Sequence, residues 1–309
     1  MKGRILGILV LLAWGIAKSS FEARLEQRME NTRLGGFKLT ASLRQQAGQA
    51  GFIAALGGLR ATVADLLWIS ADSAWRKVQY GRMKLAFDTC TAMQPRRVLF
   101  WDVSAWHMAW NGAAHIANHE PDPVARAAKM REFFMLGKDF LERGIESNPD
   151  SWELHDRLGM LYHDKLKDSE NASKYYEEAS KRPGALEYTR RFAAYYLAEV
   201  PGREAEAYAR LMALFNQSEH EWLPTLFRHI QELEAKLDIP DAQRIWHAVV
   251  KLANTPGKEN SAYPGLVDLI KTGSRQPQVI EAARALEQKM DSPAARRVKL
   301  PPHDKRPTD

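Results

Sequence analysis

The sequence predicts an all-α protein built from consecutive antiparallel helix pairs, and three observations lead to this prediction. First, Pro149 and Pro183 are 34 residues apart, which is the period of a repeated helix–turn–helix unit. Second, small residues recur where two helices must approach closely. Third, two tyrosines occupy positions that would fill the space between the two helices. The positions in question are Gly159, Ala172 and Ala179 for the small residues and Tyr162 and Tyr176 for the tyrosines.

The same stretch resembles a tetratricopeptide repeat. The signature of that family is a Leu-Gly pair, a Tyr three residues later, an Ala-x-x-x-aromatic spacing and a closing proline. Here it reads Leu158-Gly159, Tyr162, Ala172 with Tyr176, and Pro183. The resemblance implies a solenoid of helical hairpins whose first helices line a concave binding surface.

Two further helix pairs are predicted upstream of this repeat. The first pair is marked by Trp68, Ala71 and Trp75, followed by Met83, Phe87, Cys90 and Pro95. The second pair is marked by Trp101, Ala105 and Met108, followed by Gly137, Leu141, Gly144 and Pro149. Pro95 and Pro149 are 54 residues apart, so about 20 residues exceed one period. We expect this insert near residues 111–124, where Asn111-Gly112 and Pro121-Asp122-Pro123 should interrupt the helix.

The chain divides where the pattern changes. Residues 1–34 are predicted to be a signal anchor with a charged juxtamembrane helix, and residues 35–217 to be the helical repeats. Residues 218–290 are predicted to form C-terminal helices, of which the first would open with a capping box of Ser218 and Glu221. Residues 291–309 have the composition of a disordered basic tail.

The predicted anchor consists of Lys2 and Arg4 followed by the apolar run from Ile5 to Ala17. This run is shorter than a membrane span of about 20 residues. A helical pattern continues after Lys18, which favours an uncleaved signal anchor over a cleaved signal peptide or a soluble helix. Lys2 and Arg4 favour a bacterial inner-membrane protein with a cytoplasmic N-terminus and a periplasmic body, whereas Lys18, Arg24 and Arg28 on the other flank act against this orientation. The alternative is export after signal cleavage.

A second resemblance involves an ordered block upstream of the clear repeat. Its parts are Gly57-Gly58-Leu59-Arg60, Ala64-Asp65-Leu66-Leu67-Trp68, Gln94-Pro95, Trp101 and Ala105-Trp106-His107-Met108-Ala109-Trp110-Asn111. The block resembles a family of uncharacterised bacterial membrane-anchored tetratricopeptide-type proteins, and the resemblance extends to about residue 215. It implies an anchored solenoid and no particular chemistry. The segment from Gly51 to Trp68 is expected to be a core helix, because Arg60 and Asp65 would be costly in lipid.

The net charge of +6 is concentrated at the ends of the chain. Residues 1–44 carry +5 and residues 291–309 carry +2, which leaves −1 for residues 45–290. A neutral body disfavours a groove for nucleic-acid phosphates, and basic ends beside an apolar segment fit an anionic membrane. The single cysteine, Cys90, excludes an intramolecular disulfide and is expected to be a buried, inert thiol.

The sequence contains no phosphate-binding glycine loop and none of the HExxH, GxSxG or CxxCH motifs. The strongest candidate for chemistry is a histidine group in the expected insert. His115 and His119 share one helix face and could hold one metal ion, with His107 at the margin of that face. A polar surface insert is the favoured interpretation, so no cofactor is expected.

Five of the nine tryptophans lie between Trp68 and Trp110, and most are expected to fill the core. Trp106 and Trp110, four residues apart, could instead pave a groove for a peptide or a glycan. In the clear repeat, first-helix residues that are not needed for packing should face the groove, and replacing them should cost little stability. The expected partner-binding residues are Trp106, Trp110, Trp152, His155, Asp156, His163, Arg190 and Arg191.

These observations predict a non-catalytic, membrane-anchored scaffold or assembly protein that binds a protein or peptide partner. One alternative is a metal-dependent enzyme or metal carrier that uses His107, His115 and His119. Another is a secreted soluble binding protein.

Overall fold

The computed structural model describes residues 59–289, and in this range the protein is helical with no β-strand. The predicted all-α class is therefore confirmed. The predicted anchor, the Gly57-Gly58 pair and the basic tail lie outside the described residues. Within the described range, no helix combines the length and apolar character needed to cross a membrane. The described chain forms two compact units, residues 59–167 with 181–185 and residues 168–180 with 186–289.

The first unit contains six α-helices and two π-helical turns within the described range. The helices are α1 (Arg60–Arg76), α2 (Tyr80–Met93), α3 (Val98–Trp106), α4 (Ala113–His119), α5 (Pro123–Ser147) and α6 (Trp152–Leu161). The π-helical turns are His107–Gly112, between α3 and α4, and Tyr162–Leu166, after α6.

The second unit contains seven α-helices within the described range. They are α7 (Ser169–Ser180), α8 (Glu187–Leu197), α9 (Glu204–Gln217), α10 (Pro224–Lys236), α11 (Ile245–Ala253), α12 (Glu259–Lys271) and α13 (Pro277–Lys289). Short 3₁₀ turns are formed by Glu219–Glu221 and Asp241–Gln243.

Helices α1 and α2 form the first predicted pair, and their packing confirms that prediction. The two helices lie close together at Ala64, where the Cys90 thiol of α2 donates to the Ala64 carbonyl oxygen of α1 at 3.2 Å. The Trp68 ring lies 5.2 Å from the Phe87 ring, which fills the space between the helices. Trp75, by contrast, is 38% exposed and is not a core residue.

The second predicted pair is also present, with α5 packed along α3 and the π-helical turn. Two glycines of α5 allow the approach. A Cβ atom on Gly137 would lie 2.6 Å from the Ala109 Cβ, and one on Gly144 would lie 2.8 Å from the Trp101 Cβ. Glycine is therefore needed at both places, as the sequence pattern predicts.

The expectation that Asn111-Gly112 interrupts the helix is wrong. The chain remains helical from Val98 to His119, because a π-helical turn keeps the backbone bonded through this dipeptide. Asn111 Nδ2 donates to His107 Nδ1 at 3.2 Å within that turn. The interruption predicted at Pro121-Asp122-Pro123 is present: α4 ends at His119, and the Asp122 side chain accepts the Val124 N–H and caps α5.

The second unit has one continuous apolar core. Helix α7 packs on α8, where the Ser173 hydroxyl donates to the Ala193 carbonyl oxygen at 2.7 Å. The core helices α8 to α13 share a cluster of buried aliphatic and aromatic residues. The expected capping box is not formed, since Glu221 belongs to a 3₁₀ turn and α10 begins only at Pro224. Proline suits this first helical position because its missing N–H would be unpaired there anyway.

Helix α6 belongs to the first unit and α7 to the second. The closing Pro183 of the clear repeat is exposed, whereas its helix-packing positions are all buried. They are Leu158, Gly159, Tyr162, Ala172, Tyr176 and Ala179.

Candidate functional site

Two of the predicted binding residues form a paired aromatic surface in the first unit. Trp106 ends α3, and Trp110 lies one turn later in the π-helical turn. Their rings stack with a centroid distance of 5.0 Å and an angle of 13° between the planes. Trp106 is 38% exposed, so the stack lies at the surface rather than in the core.

Charged side chains hold this stack in place. Arg157 of α6 donates from Nε to Asp102 Oδ1 at 2.6 Å and from Nη2 to Asp102 Oδ2 at 3.3 Å. Its guanidinium carbon lies 5.5 Å from the Trp106 ring centroid and 6.0 Å from that of Trp110. Lys165 Nζ lies 5.4 Å from the Trp110 ring centroid. We call Asp102, Trp106, Trp110, Arg157 and Lys165 the Trp–Arg cluster.

The Trp–Arg cluster is a preorganised surface that has both apolar and cationic character. A cation over an indole face is attracted by the ring quadrupole, worth roughly 0.5–1 kcal/mol at an exposed site. The bidentate pair with Asp102 fixes the plane of the Arg157 guanidinium group. Such a surface suits contact with a polypeptide, whose apolar side chains can cover the indoles while its carboxylates meet the cations.

The predicted groove residues of α6 are placed differently from what the sequence suggested. His155 is 3% exposed and Asp156 is 8% exposed, so the expectation that they face an open groove is wrong. His155 Nδ1 lies 2.8 Å from the Ser151 carbonyl oxygen and donates to it. Helix α6 buries more than one face because it packs on both α3 and α5. Trp152 and His163 are half-buried, and their role in binding stays a prediction.

The predicted residues Arg190 and Arg191 lie on α8 of the second unit and meet a buried carboxylate. Arg191 Nη1 lies 3.1 Å from Glu221 Oε2, and Arg190 Nη2 lies 3.7 Å from Glu221 Oε1. Glu221 is only 3% exposed. Arg191 therefore neutralises an internal charge, which corrects the expectation that its replacement costs little stability.

Tyr195 and His229 lie next to this ion pair. Tyr195 is 4% exposed, and within the described residues its hydroxyl makes no hydrogen bond. Burial raises the pKa of Tyr195 to about 12. The His229 ring stacks on it at 5.3 Å, and burial followed by the charge of Arg228 lowers the pKa of His229. The spacing of Arg191 and Tyr195, four residues apart, is the signal that places both on one face of α8.

The three histidines of the metal hypothesis do not converge on one point. The His107 ring packs against Trp75 at 5.0 Å and Phe87 at 5.5 Å, and burial lowers its pKa. His115 and His119 stack on each other at 4.1 Å, and His119 Nδ1 donates to the His115 carbonyl oxygen at 2.8 Å. In the part of the chain that the structure describes, no three His, Cys, Asp or Glu residues are arranged to hold a metal ion.

Cys90 is buried, as the sequence predicts. Burial, and then the charge of Asp65, raise the pKa of its thiol to about 12. The thiol is therefore protonated at neutral pH and is a poor nucleophile.

Among known proteins, neither a protein-family model nor a curated sequence matches this chain. Its function is therefore inferred from the geometry of the described residues.

Proposed function

We propose that this protein is a non-catalytic scaffold that binds a protein or peptide partner at the Trp–Arg cluster. One observation carries the proposal, namely the surface stack of Trp106 on Trp110 with the guanidinium group of Arg157 against both rings. Tryptophan and arginine are the residues most enriched among those that dominate binding energy at interfaces. A stack that is already ordered loses little conformational entropy when a partner binds.

The proposal includes a tetratricopeptide-like solenoid. It is supported by the helix pairs α1/α2 and α3/α5, each of which closes at small residues such as Ala64, Gly137 and Gly144. A stack of such pairs repeats the same close approach in each unit and leaves an extended surface for a partner.

The proposal also includes an N-terminal membrane anchor at residues 1–34 and a periplasmic body. It is supported by the apolar run from Ile5 to Ala17 and by the preceding Lys2 and Arg4. An anchored scaffold holds its partner near the bilayer, which raises the local concentration of the partner there.

In the test, the full-length wild-type chain and two variants capture proteins from detergent-solubilised membranes. The captured proteins are identified by mass spectrometry and their amounts are compared. The variants are Trp106→Ala and, as a matched control, Trp75→Ala, because both tryptophans are 38% exposed. A specific partner should be captured by the wild type and by Trp75→Ala, and about thirtyfold less by Trp106→Ala, which corresponds to about 2 kcal/mol. Equal capture by all three chains would exclude the Trp–Arg cluster as the binding site.

A further inference from the structure

Exposed large apolar side chains are concentrated on the first helix pair. Leu66 is 61% exposed, Ile69 is 64% exposed and Leu85 is 54% exposed. Trp75 and Val78, at the turn between α1 and α2, are 38% and 47% exposed. We call Leu66, Ile69, Val78 and Leu85 the hairpin face; Trp75 packs on the His107 ring and is not part of it. Contiguous exposed apolar surface on a folded protein marks an interaction site.

On the outer side of α1, the apolar residues of the hairpin face are flanked by Asp65 and by the Asp72–Arg76 ion pair. Leu66 and Ile69 are three residues apart and lie on the same side of α1, opposite the buried Ala64 and Ala71. The surface continues into an open cavity of about 420 Å³ between the outer sides of α1 and α2. The residues lining this cavity include Leu67, Ser70, Ser73, Ala74, Leu85 and, beside the turn, Lys77 and Arg82.

The turn itself presents an aliphatic side chain between cations. Val78 has φ 58°, a left-handed conformation that is unusual for a β-branched residue. Its N–H donates to the Trp75 carbonyl oxygen at 2.8 Å, which keeps the turn closed. Arg76, Lys77 and the strained Val78 are all exposed. Backbone strain of this kind recurs at functional sites, and here it projects a valine outward.

The net charge of this helix pair is opposite in sign to that of the rest of the described chain. Residues 59–99 contain seven Lys or Arg and three Asp, a formal charge of +4, whereas residues 100–290 carry −5. A second copy of the hairpin face would meet this positive charge with its own. Residues 1–44 carry +5, so the chain's own N-terminal part also has the same sign. The complement of an apolar surface with cations around it is a surface that is both apolar and anionic.

We propose that the hairpin face docks on an anionic phospholipid bilayer. Leu66, Ile69 and Val78 enter the interfacial region, where leaving water is favourable for aliphatic groups. Lys77 and Arg82 meet the lipid phosphates. This contact goes beyond the proposed scaffold function and is separate from the N-terminal anchor.

The test places an environment-sensitive fluorophore on single cysteines of the full-length chain. Ile69→Cys and Val78→Cys report on the hairpin face, and Val124→Cys, at a residue that is 78% exposed, is the reference. The native Cys90 is buried and is not labelled. The labelled chains are mixed with vesicles of phosphatidylcholine alone or with about one quarter phosphatidylglycerol.

Emission from positions 69 and 78 should rise about twofold or more on the anionic vesicles only, and should fall back at high salt. Emission from position 124 should not change. The pair Lys77→Glu and Arg82→Glu should abolish the rise, whereas the same charge change at the exposed Lys236 and Lys251 should leave it intact. Since the labelled positions are exposed, these chains should unfold at the wild-type temperature.

Four outcomes overturn the proposal. No rise on anionic vesicles shows that the hairpin face does not meet lipid. An equal rise on neutral vesicles shows that anionic lipid does not direct the contact. If the emission is blue-shifted without vesicles and the shift grows with protein concentration, a second copy of the chain covers the hairpin face. If that shift does not depend on protein concentration, another part of the same chain covers it.

Discussion

At the residue scale, burial decides which ionisable groups of this protein carry charge. Cys90 and Tyr195 are buried acids whose pKa values are raised, so both are neutral near pH 7. His107 and His229 are buried bases whose pKa values are lowered, so neutral imidazole is favoured. Glu221 is also buried and lies beside Arg191.

Cys90 should resist a thiol reagent in the native protein at about pH 8 and react fully after denaturation, because the reactive species is the thiolate. The rate is measured by absorbance, and Val78→Cys, at an exposed position, is the fast control. Burial raises the folded-state pKa of Cys90 from 9.0 to about 12. Its contribution to stability is therefore fully present below the unfolded-state pKa of 9.0 and is lost as the pH rises towards about 12. Equal rates for the native chain and Val78→Cys would contradict the buried position.

Replacing Arg191 should destabilise the second unit, because Glu221 would remain buried without its closest counter-ion. Arg191→Ala is expected to lower the free energy of unfolding by about 1–3 kcal/mol, measured by urea denaturation. Arg190→Ala is the control and should cost less than about 1 kcal/mol, since this side chain is 46% exposed and lies farther from the carboxylate. Adding Glu221→Gln to Arg191→Ala should recover part of the loss. Equal stability of Arg191→Ala and wild type would show that Glu221 does not depend on this pair.

At the element scale, the helix pairs of the first unit are held at fixed separations by small residues. Ala64 accepts the Cys90 thiol through its carbonyl oxygen, and Gly137 lies against the backbone near Ala105 and Ala109. Close backbone approach leaves no room for another carbon atom, because protein interiors are close-packed. The identity of these residues therefore sets the distance between helices.

Gly137→Ala should destabilise the α3/α5 pair by about 1–3 kcal/mol through overpacking. Its added methyl group would lie 2.9 Å from the Ala105 carbonyl oxygen, and the backbone cannot yield as a side chain would. Gly81→Ala, on α2, is the control, since nothing lies within 4 Å of its new carbon. That change should be neutral or stabilising by up to about 1 kcal/mol, because alanine favours helix more than glycine does. If Gly137→Ala and Gly81→Ala unfold at the same temperature, Gly137 is not needed for the close approach of α3 and α5.

At the scale of the whole molecule, charge is distributed unevenly along the chain. Residues 1–44 carry +5 and residues 59–99 carry +4, whereas residues 100–290 carry −5. The basic part includes the proposed anchor and the hairpin face, and the acidic part includes the second unit. An anionic bilayer would attract the first part and repel the second.

The proposed anchor predicts that the mature chain keeps its N-terminus and sediments with membranes. The helical pattern continues past Lys18 instead of opening into a cleavage site, so no shortened species is expected. Intact-mass spectrometry of the chain from native membranes decides this. A mature species that begins near Lys18 would instead establish an exported soluble protein.

The sequence by itself determined the features of this protein that depend on local periodicity. It predicted an all-α chain, the pairs α1/α2 and α3/α5, the close approach at Gly137 and Gly144, and the burial of Cys90. It also predicted that Trp106 and Trp110 share a face, because residues four apart on a helix are neighbours. In each case the relevant physics acts within a few turns of one helix, or between helices that follow each other in the chain.

The tertiary structure alone decided the features that join distant residues. Arg157 stacks on the indole rings because it is fixed by Asp102, which is 55 residues away in sequence. Glu221 is the counter-ion of Arg191, 30 residues away, rather than a helix cap. His155 is buried because α6 packs on two neighbouring helices. A charged or polar side chain can satisfy its hydrogen bonds locally or at a distance at a similar free-energy cost, so only the packing of the folded chain selects its partner.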